Sequence, residues 1–278
     1  MTRRDMISSI GMVAAGSLVS ETASGAASEA TPASFQIGVA SYSFRDFQRG
    51  LAIKMIKQLG VTEISVKQDY HMPYTLTPAE IARAAGEFKR AGLTITSCGN
   101  TDMKSLDPAD LKKYFEHAKA AGVPMLVTAP LHENLGAIEK LAKEYDIQIA
   151  IHTHGPEDKN FPSPKVVLDA VKGMDPRMGL CMDVAHSMRA GADVVQEIEN
   201  AGPRLLDMHF KDLKDNKPTA TYCDVGEGVM PVVAIFKQLK KFGYRGCVNL
   251  EWEINSDNPM PGMLHSLGYM HGVLAALA

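Results

Sequence analysis

Imidazole and carboxylate side chains close four apolar runs in the C-terminal half of the chain. His152 and His154 follow "QIAI", Asp183 ends "GLCMD", His209 ends "LLDMH" and Glu251 ends "CVNLE". A lone group at such a place is usually a hydrogen-bonded structural residue or a helix cap. Bringing the polar side chains of all four runs together without partners would cost free energy. A divalent cation removes that cost, because it binds imidazole nitrogens and carboxylate oxygens together. The sequence therefore predicts a metal site, with at least one of His152 and His154 as a ligand.

A repeating pattern of glycines places these runs in a fold. Gly60, Gly92 and Gly122 each follow an amphipathic stretch and precede a β-branched run, as at the junction of a βα unit. Short apolar runs predict eight strands, near residues 36–42, 61–67, 93–99, 124–129, 147–153, 178–183, 204–209 and 246–252. With a helix after each strand, the pattern predicts an α/β fold, a single closed (β/α)8 TIM barrel. A doubly wound sheet is the alternative, but the Gly-rich phosphate turn expected after its first strand is absent.

The starts of two helices support this division of the chain into alternating strands and helices. Thr77, Pro78 and Glu80 form a capping-box pattern before an apolar stripe, and Asp107 with Pro108 opens the following helix in the same way. In a barrel of this kind the active site lies at the C-terminal ends of the strands. The four polar sets are therefore expected to meet at one end of the barrel.

Composition is that of an ordinary globular protein. The 278 residues are 45% hydrophobic and 22% charged, which is enough to bury a full core in one large domain. A formal net charge of -3 and a pI near 6.3 provide no general attraction for nucleic acid or anionic lipid. The four cysteines are scattered without a C-x-x-C pair, so we expect small buried side chains rather than a zinc or redox motif.

Residues 1–32 differ from the rest of the chain. Arg3 and Arg4 precede a short apolar stretch and an Ala/Ser-rich segment, the order found in secretory signals. "TRRDMI" is similar to a twin-arginine export signal, although Asp5 and Met6 fit its usual pattern only loosely. A disordered tail is the alternative. We expect an export signal with a flexible segment, a periplasmic location and no stable membrane span in the mature form, with the barrel over residues 33–278.

The order of several short motifs resembles one known superfamily. They are "D-x-x-H" at 183–186, "H-x-K-D" at 209–212, "G-E-G" at 226–228 and the glutamate of the eighth strand, Glu251. Together they resemble the xylose-isomerase-like sugar isomerase/epimerase superfamily from about Phe35 to the C-terminus. The resemblance implies one divalent metal ion held from strands five to eight. Carried over to this chain, the ligands are His152, Asp183, His209 and Glu251.

The chain departs from the superfamily at the first ligand. The superfamily commonly has "E-N-H" where this chain has "H-T-H", so His152 replaces a carboxylate. In its sugar epimerases two glutamates act as paired acid/base groups, and here the pair would be the unsymmetrical Glu251 and His152. The ligand set becomes two carboxylates and two imidazoles, which balances a dication and favours Mn, Co or Zn over Mg. Whether His152 or His154 faces the metal stays open at this stage, since a strand end can twist or bulge.

Five further side chains are expected to face the substrate. His154 and His186 suit hydrogen bonds to sugar hydroxyls, and Lys211 follows the predicted ligand of the seventh strand by two residues. Lys67 and His71 follow the second strand, where they would steer or protonate substrate oxygens from across the mouth. Taken singly, Lys67 is also compatible with a surface lysine and His71 with a loop histidine.

The chemistry expected from these residues is proton abstraction next to a metal-bound carbonyl. Glu251 or His152 would act as the base on a keto-sugar or keto-glycoside. Return of the proton gives isomerisation or epimerisation, whereas loss of an oxygen substituent one carbon away makes the enzyme a keto-glycoside lyase by β-elimination.

Two other classes remain as alternatives. One is a non-catalytic sugar-binding protein on the same scaffold. The other is a DNA-binding apurinic-site endonuclease, which the mild acidity and the export signal both disfavour. We therefore expect a small-molecule carbohydrate partner and no nucleic acid, and the sequence leaves homo-oligomerisation open.

Overall fold

Eight parallel strands close into a barrel. A computed structural model describes residues 35–277. The strands are β1 (Gln36–Ala40), β2 (Glu63–Val66), β3 (Thr94–Thr101), β4 (Met125–Thr128), β5 (Gln148–His152), β6 (Met178–Asp183), β7 (Leu205–Phe210), β8 (Asp212–Leu213), β9 (Tyr222–Cys223) and β10 (Cys247–Leu250). All except β8 and β9 belong to the barrel, in which β10 lies between β7 and β1 and closes the ring. The predicted TIM barrel is confirmed, with each of the eight predicted strands present.

Helices surround the barrel and connect its strands. They are α1 (Arg49–Gln58), α2 (Gln68–His71), α3 (Pro78–Arg90), α4 (Pro108–Ala121), α5 (Leu135–Tyr145), α6 (Pro164–Ala170), α7 (Val184–Arg189), α8 (Val194–Ala201), α9 (Val232–Phe242) and α10 (Met260–Ala276). The capping box predicted at α3 is present, because the Thr77 hydroxyl accepts from the Glu80 backbone N–H and the Glu80 carboxylate accepts from that of Thr77. Ile81, Ala84 and Phe88 of the same helix are buried against the barrel, as the apolar stripe predicted.

A small hairpin follows the seventh barrel strand, where the sequence predicted a direct passage to a helix. β8 and β9 pair antiparallel, and the chain then wraps around the buried Asp212 side chain. The Asp212 carboxylate accepts hydrogen bonds from the backbone N–H groups of Gly226, Gly228 and Met230, at 2.9 to 3.2 Å. A Cβ at position 228 would lie 2.2 Å from the Leu213 carbonyl oxygen, so this close approach requires glycine. The aspartate of "H-x-K-D" thus holds the "G-E-G" segment in place.

Polar side chains from β3, β7 and β10 meet inside the barrel. Asp207 of β7 is fully buried and accepts hydrogen bonds from the Ser97 hydroxyl at 2.7 Å and the Asn249 amide at 2.9 Å. Burial raises the pKa of Asp207 to about 6.

Cys98, Cys181 and Cys247 are buried and Cys223 is half-buried, and all four are free thiols. The cysteines therefore pack as small side chains, as expected from their spacing.

Residues 1–32, for which the sequence predicted an export signal, lie outside the described residues. Within residues 35–277, none of the helices combines the length and the apolar character needed to cross a bilayer.

Candidate functional site

The four ligands implied by the resemblance lie together at the C-terminal end of the barrel. His152 Nε2 is 3.1 Å from His209 Nδ1 and 3.7 Å from Asp183 Oδ2, and His209 Nδ1 is 3.2 Å from Glu251 Oε2. All four side chains are buried, and one ligand atom from each lies within 4.8 Å of those of the others. Each comes from a different strand, at its last residue (β5, β6), next to its last (β7) or just after its end (β10). Parallel packing of short strands is what gathers them.

The spacing and chemistry of this cluster fit a divalent cation. Two ligands of one tetrahedral ion at about 2.1 Å are separated by roughly 3.4 Å, close to the distances observed here. The ring nitrogens that face the cluster, His152 Nε2 and His209 Nδ1, lie against each other and against the ligand carboxylates, where a cation would bind them. Burial holds the pKa of His152 well below its usual value, which leaves the ring neutral and able to act as a ligand.

The other members of the cluster are strongly perturbed by one another. Burial alone would lower the pKa of His209, but the neighbouring Glu251 carboxylate offsets this effect and raises it. Burial alone would raise the pKa of Glu251, but Lys211 and His209 hold it well below its usual value. A bound cation requires neutral imidazoles, so filling the site would release any proton carried by His209.

Lys211 lies inside this cluster rather than on the wall of a substrate cavity, where the sequence placed it. Its ammonium group contacts Asp183 Oδ2 at 2.5 Å, Glu251 Oε2, and Glu253 Oε1 at 3.0 Å. The side chain is only 2% exposed. One positive charge against three negative charges leaves the group at -2 with neutral imidazoles, the charge that one divalent cation balances.

A cavity of about 330 Å³ opens directly above the cluster. Its lining residues are Tyr42, Lys67, Asp69, Tyr70, Asn100, His152, His154, His186, Glu251 and Glu253. Of the five side chains predicted to face a substrate, Lys67, His154 and His186 line this cavity, whereas Lys211 and His71 do not. The structure also gives different positions to the two histidines at the end of β5 and just after it: His152 belongs to both the cluster and the cavity wall, and His154 belongs to the wall alone.

His71 is held behind the cavity. It ends the short helix α2 and is fully buried, with Nδ1 2.9 Å from the Ser41 hydroxyl and Nε2 3.2 Å from the Phe47 carbonyl oxygen. Burial lowers the pKa of this imidazole. The sequence placed His71 in an open loop facing the substrate, but the helical turn directs it inward. Its neighbour Tyr70 lines the cavity instead, with its ring 5.8 Å from that of Tyr42.

Asn100 is a cavity residue that the sequence did not single out. Its amide lies 2.5 Å from His154 Nε2, and its backbone carbonyl accepts a hydrogen bond from the Lys67 ammonium group. The pairing of β3 with β4 shifts register between Cys98 and Thr101, so strict alternation fails at this point. A Cβ at position 99 would lie 2.2 Å from the Val127 carbonyl oxygen, and Gly99 was the one sequence signal for this irregularity.

The same fold occurs in solved structures. An uncharacterized protein from Parabacteroides distasonis is 26% identical, with a TM-score of 0.66 over 86% of this chain and 98% of that one. A 3-keto-D-glucoside 4-epimerase from E. coli is 15% identical, with a TM-score of 0.70 over 86% of this chain and 99% of that one. The IolI protein with a zinc atom is also 15% identical, with a TM-score of 0.74 over 87% and 99%.

The sequence matches no curated protein. At 15% identity, the last two structures share the fold with this chain and no more. The sequence model for the xylose isomerase-like TIM barrel, however, matches residues 53–271, which is most of the chain. The chain therefore belongs to the xylose isomerase-like TIM barrel family.

Proposed function

We propose that this protein is a divalent-metal-dependent enzyme. It removes a proton from the carbon next to the carbonyl group of a keto-sugar or keto-glycoside. The observation that carries the proposal is that the buried cluster opens into a polar cavity, with His152 and Glu251 belonging to both. A 3-keto-D-glucoside 4-epimerase among the structural neighbours supports this class of substrate. The charge of -2 within the cluster supports the divalent cation, and its two nitrogen ligands favour Mn, Co or Zn over Mg.

Glu251 is the proposed base. Its carboxylate borders the cavity and is ionised, because Lys211 and His209 hold its pKa well below the usual value. When bound, a divalent cation would polarise the substrate carbonyl and stabilise the charge left by proton removal. His152 is neutral and is the proposed second acid/base group. Lys67, His154 and His186 are proposed to orient substrate oxygens from the cavity wall.

Elimination is the second candidate reaction. It is favoured by the replacement of one carboxylate of the acid/base pair by His152, which leaves two groups of different charge and basicity beside the cavity. A symmetrical pair suits reversible proton transfer from either side of a carbon. An unsymmetrical pair suits removal of a proton by one group and protonation of a departing oxygen by the other.

The proposed chemistry predicts deuterium exchange. Protein loaded with Mn²⁺, with one equivalent verified by elemental analysis, is incubated with methyl 3-keto-β-D-glucoside in deuterated water and followed by NMR. We expect deuterium at the carbon beside the carbonyl, and loss of at least about a hundredfold in rate in Glu251→Gln. The matched control is Glu227→Gln, which alters an exposed carboxylate outside the cavity.

The reaction products distinguish the two candidate reactions. Exchange with a new epimer identifies an isomerase or epimerase, and release of methanol with an unsaturated ketone identifies a lyase. Binding of the ketoside without exchange by the metal-loaded protein would overturn the enzyme proposal in favour of a non-catalytic sugar-binding protein.

We also propose export of this protein by the twin-arginine route, on the basis of Arg3 and Arg4 before a short apolar stretch. We expect the intact chain, expressed in a Gram-negative host with this export system, to be recovered in the periplasmic fraction. An Arg3→Lys, Arg4→Lys variant should stay in the cytoplasm. Equal partition of both proteins would contradict the proposal.

A further inference from the structure

A second cavity adjoins the one above the cluster. It has a volume of about 640 Å³, and it shares His154 and His186 with the first cavity. These two side chains belong to both spaces. A ligand that occupies the first cavity can therefore extend past them into the second.

The second cavity is lined largely by residues with charged side chains, and their formal charges sum to zero. Its lining includes three cationic residues, Lys104, Lys159 and Arg189, and three anionic residues, Asp102, Glu157 and Asp158. Such a balanced lining does not select a phosphate or a carboxylate. It offers both donors and acceptors, which are the partners of hydroxyl groups, since each hydroxyl donates one hydrogen bond and accepts others. The chemistry of the lining fits a neutral, polyhydroxylated ligand.

Parts of this lining are held in place by the protein itself. Arg189 is only 11% exposed, and its guanidinium donates to the Pro218 carbonyl oxygen at 2.7 Å and to the Glu157 carboxylate. Asp158 accepts from the Asn160 backbone N–H at 2.8 Å, and its other carboxylate oxygen is 3.3 Å from His154 Nδ1. Side chains fixed in this way lose little conformational entropy when a ligand binds.

The second cavity is also connected to the cluster along the chain. Residues 157–160, which line it, follow within a few residues of His152 and His154. Arg189 lies three residues after His186 on α7, a helix capped at its N-terminus by the cluster residue Asp183. The segment after β5 and the helix α7, which each follow a cluster residue, therefore supply part of the wall of the second cavity.

A third cavity also adjoins the first, but it is a weaker candidate for an extended ligand. It measures about 250 Å³ and shares Lys67 and Asp69 with the first cavity. These two side chains form an ion pair at 3.0 Å at the boundary. Passage of a ligand in this direction would have to disrupt that pair.

We propose that the natural substrate is a keto-glycoside with at least two sugar units, in which the oxidised ring lies above the cluster and the second ring occupies the second cavity. This inference rests on the proposed function and narrows its substrate class. Lys159 and Arg189 are assigned to the recognition of hydroxyl groups on the second ring.

The test compares short and extended substrates in deuterated water on the Mn²⁺-loaded full chain. The probes are the methyl 3-keto-α- and β-D-glucosides, 3-keto-trehalose and 3-keto-cellobiose, so that both anomeric linkages are represented. We expect kcat/KM for exchange to be at least about tenfold higher for one of the disaccharides than for the methyl glycoside of the same linkage. Lys159→Ala and Arg189→Gln should each reduce this ratio towards one.

Lys113→Ala is the matched control, because it removes an exposed lysine from the third cavity and should leave the ratio unchanged. Lys159 is exposed as well, so its variant keeps the test valid if Arg189→Gln fails to fold. Deuterium exchange of the methyl glycosides, with no higher kcat/KM for either disaccharide, would overturn this inference. The proposed function would still stand. A loss of the ratio in Lys113→Ala alone would assign the second ring to the third cavity. Absence of exchange with every probe would instead reject the proposed function.

Discussion

Lys211 determines the electrostatic balance of the cluster. Its ammonium group contacts two carboxylates of the ligand set, and it also has Glu253 as a partner outside that set. With a dication in place, the ion and the two ligand carboxylates sum to zero, and Lys211 with Glu253 sums to zero as well. Because Lys211 contacts the same two carboxylates that would bind the cation, the two positive charges nevertheless compete for Asp183 and Glu251.

This competition gives a prediction for Lys211→Met. Loss of the ammonium group should tighten Mn²⁺ binding by about tenfold or more, because a like charge beside the ion is removed. The same change should destabilise the chelator-treated protein by about 3 kcal/mol, because two buried carboxylates lose their cationic partner. Chelator competition and urea unfolding measure the two effects. Weaker Mn²⁺ binding in Lys211→Met would show instead that Lys211 positions the ligands. The control is Lys217→Met, which removes a lysine from an exposed ion pair.

At the scale of elements, the sequence predicted what local chemistry determines. The capping box at Thr77 and the eight apolar runs both depend on neighbouring residues, and both are present in the structure. The C-terminal ends of parallel barrel strands lie at one end of the barrel. This rule and the family resemblance together predicted that the four ligands lie close to one another, namely His152, Asp183, His209 and Glu251.

What the sequence missed depends on distant contacts. Asn100 faces the cavity because β3 changes register beside β4, and the inward turn of His71 depends on Ser41 and Phe47. Lys211 follows a strand like an ordinary surface residue, and only the carboxylates of β6 and the segment after β10 explain its burial. Such partners lie tens of residues away, so periodicity along the chain does not reveal them.

The loop around Asp212 offers a test at the same scale. Asp212→Ala removes the acceptor of three backbone N–H groups, of which that of Met230 is buried, and we expect the free energy of unfolding to fall by about 3 kcal/mol. Urea unfolding measures the change. Asp215→Ala, at an aspartate of the same connection whose side chain is 44% exposed, should alter it by less than about 1 kcal/mol. Equal effects of the two substitutions would mean that Asp212 does not hold the loop.

At the scale of the whole molecule, the site exists only when the barrel is closed. Its four ligands span residues 152 to 251 and come from four separate strands, and pairing of β10 with β1 and β7 fixes the last of them. Binding of a cation should therefore stabilise the entire barrel rather than one segment.

Buried histidines link the stability of the barrel to pH. Burial lowers the pKa of His117 from its usual 6.5, and Nε2 of this ring is 2.7 Å from the Met72 carbonyl oxygen. Below pH 6.5 the unfolded chain therefore binds more protons than the folded chain, so stability present above pH 6.5 is lost as the pH falls. The limiting slope for one histidine is about 1.4 kcal/mol per pH unit.

We expect urea unfolding of chelator-treated protein between pH 5 and 7.5 to show this loss, and His117→Gln to flatten it. His117→Gln will also lower stability at pH 7.5, so the informative quantity is the slope. An unchanged slope in the variant would show that His117 does not contribute to the acid sensitivity.

The division of the site between strand ends and connecting segments has a consequence for how such a protein can diverge. Its cation ligands come from the ends of four strands, whereas half of the residues that line the second cavity are residues 157–160 and Arg189. Insertions or exchanges in those two segments would alter the glycoside that is accepted and leave the reacting groups untouched. Related chains with the same four ligands should therefore differ most in length and charge just after β5 and at the end of α7, and transplanting those segments is a direct route to new specificity.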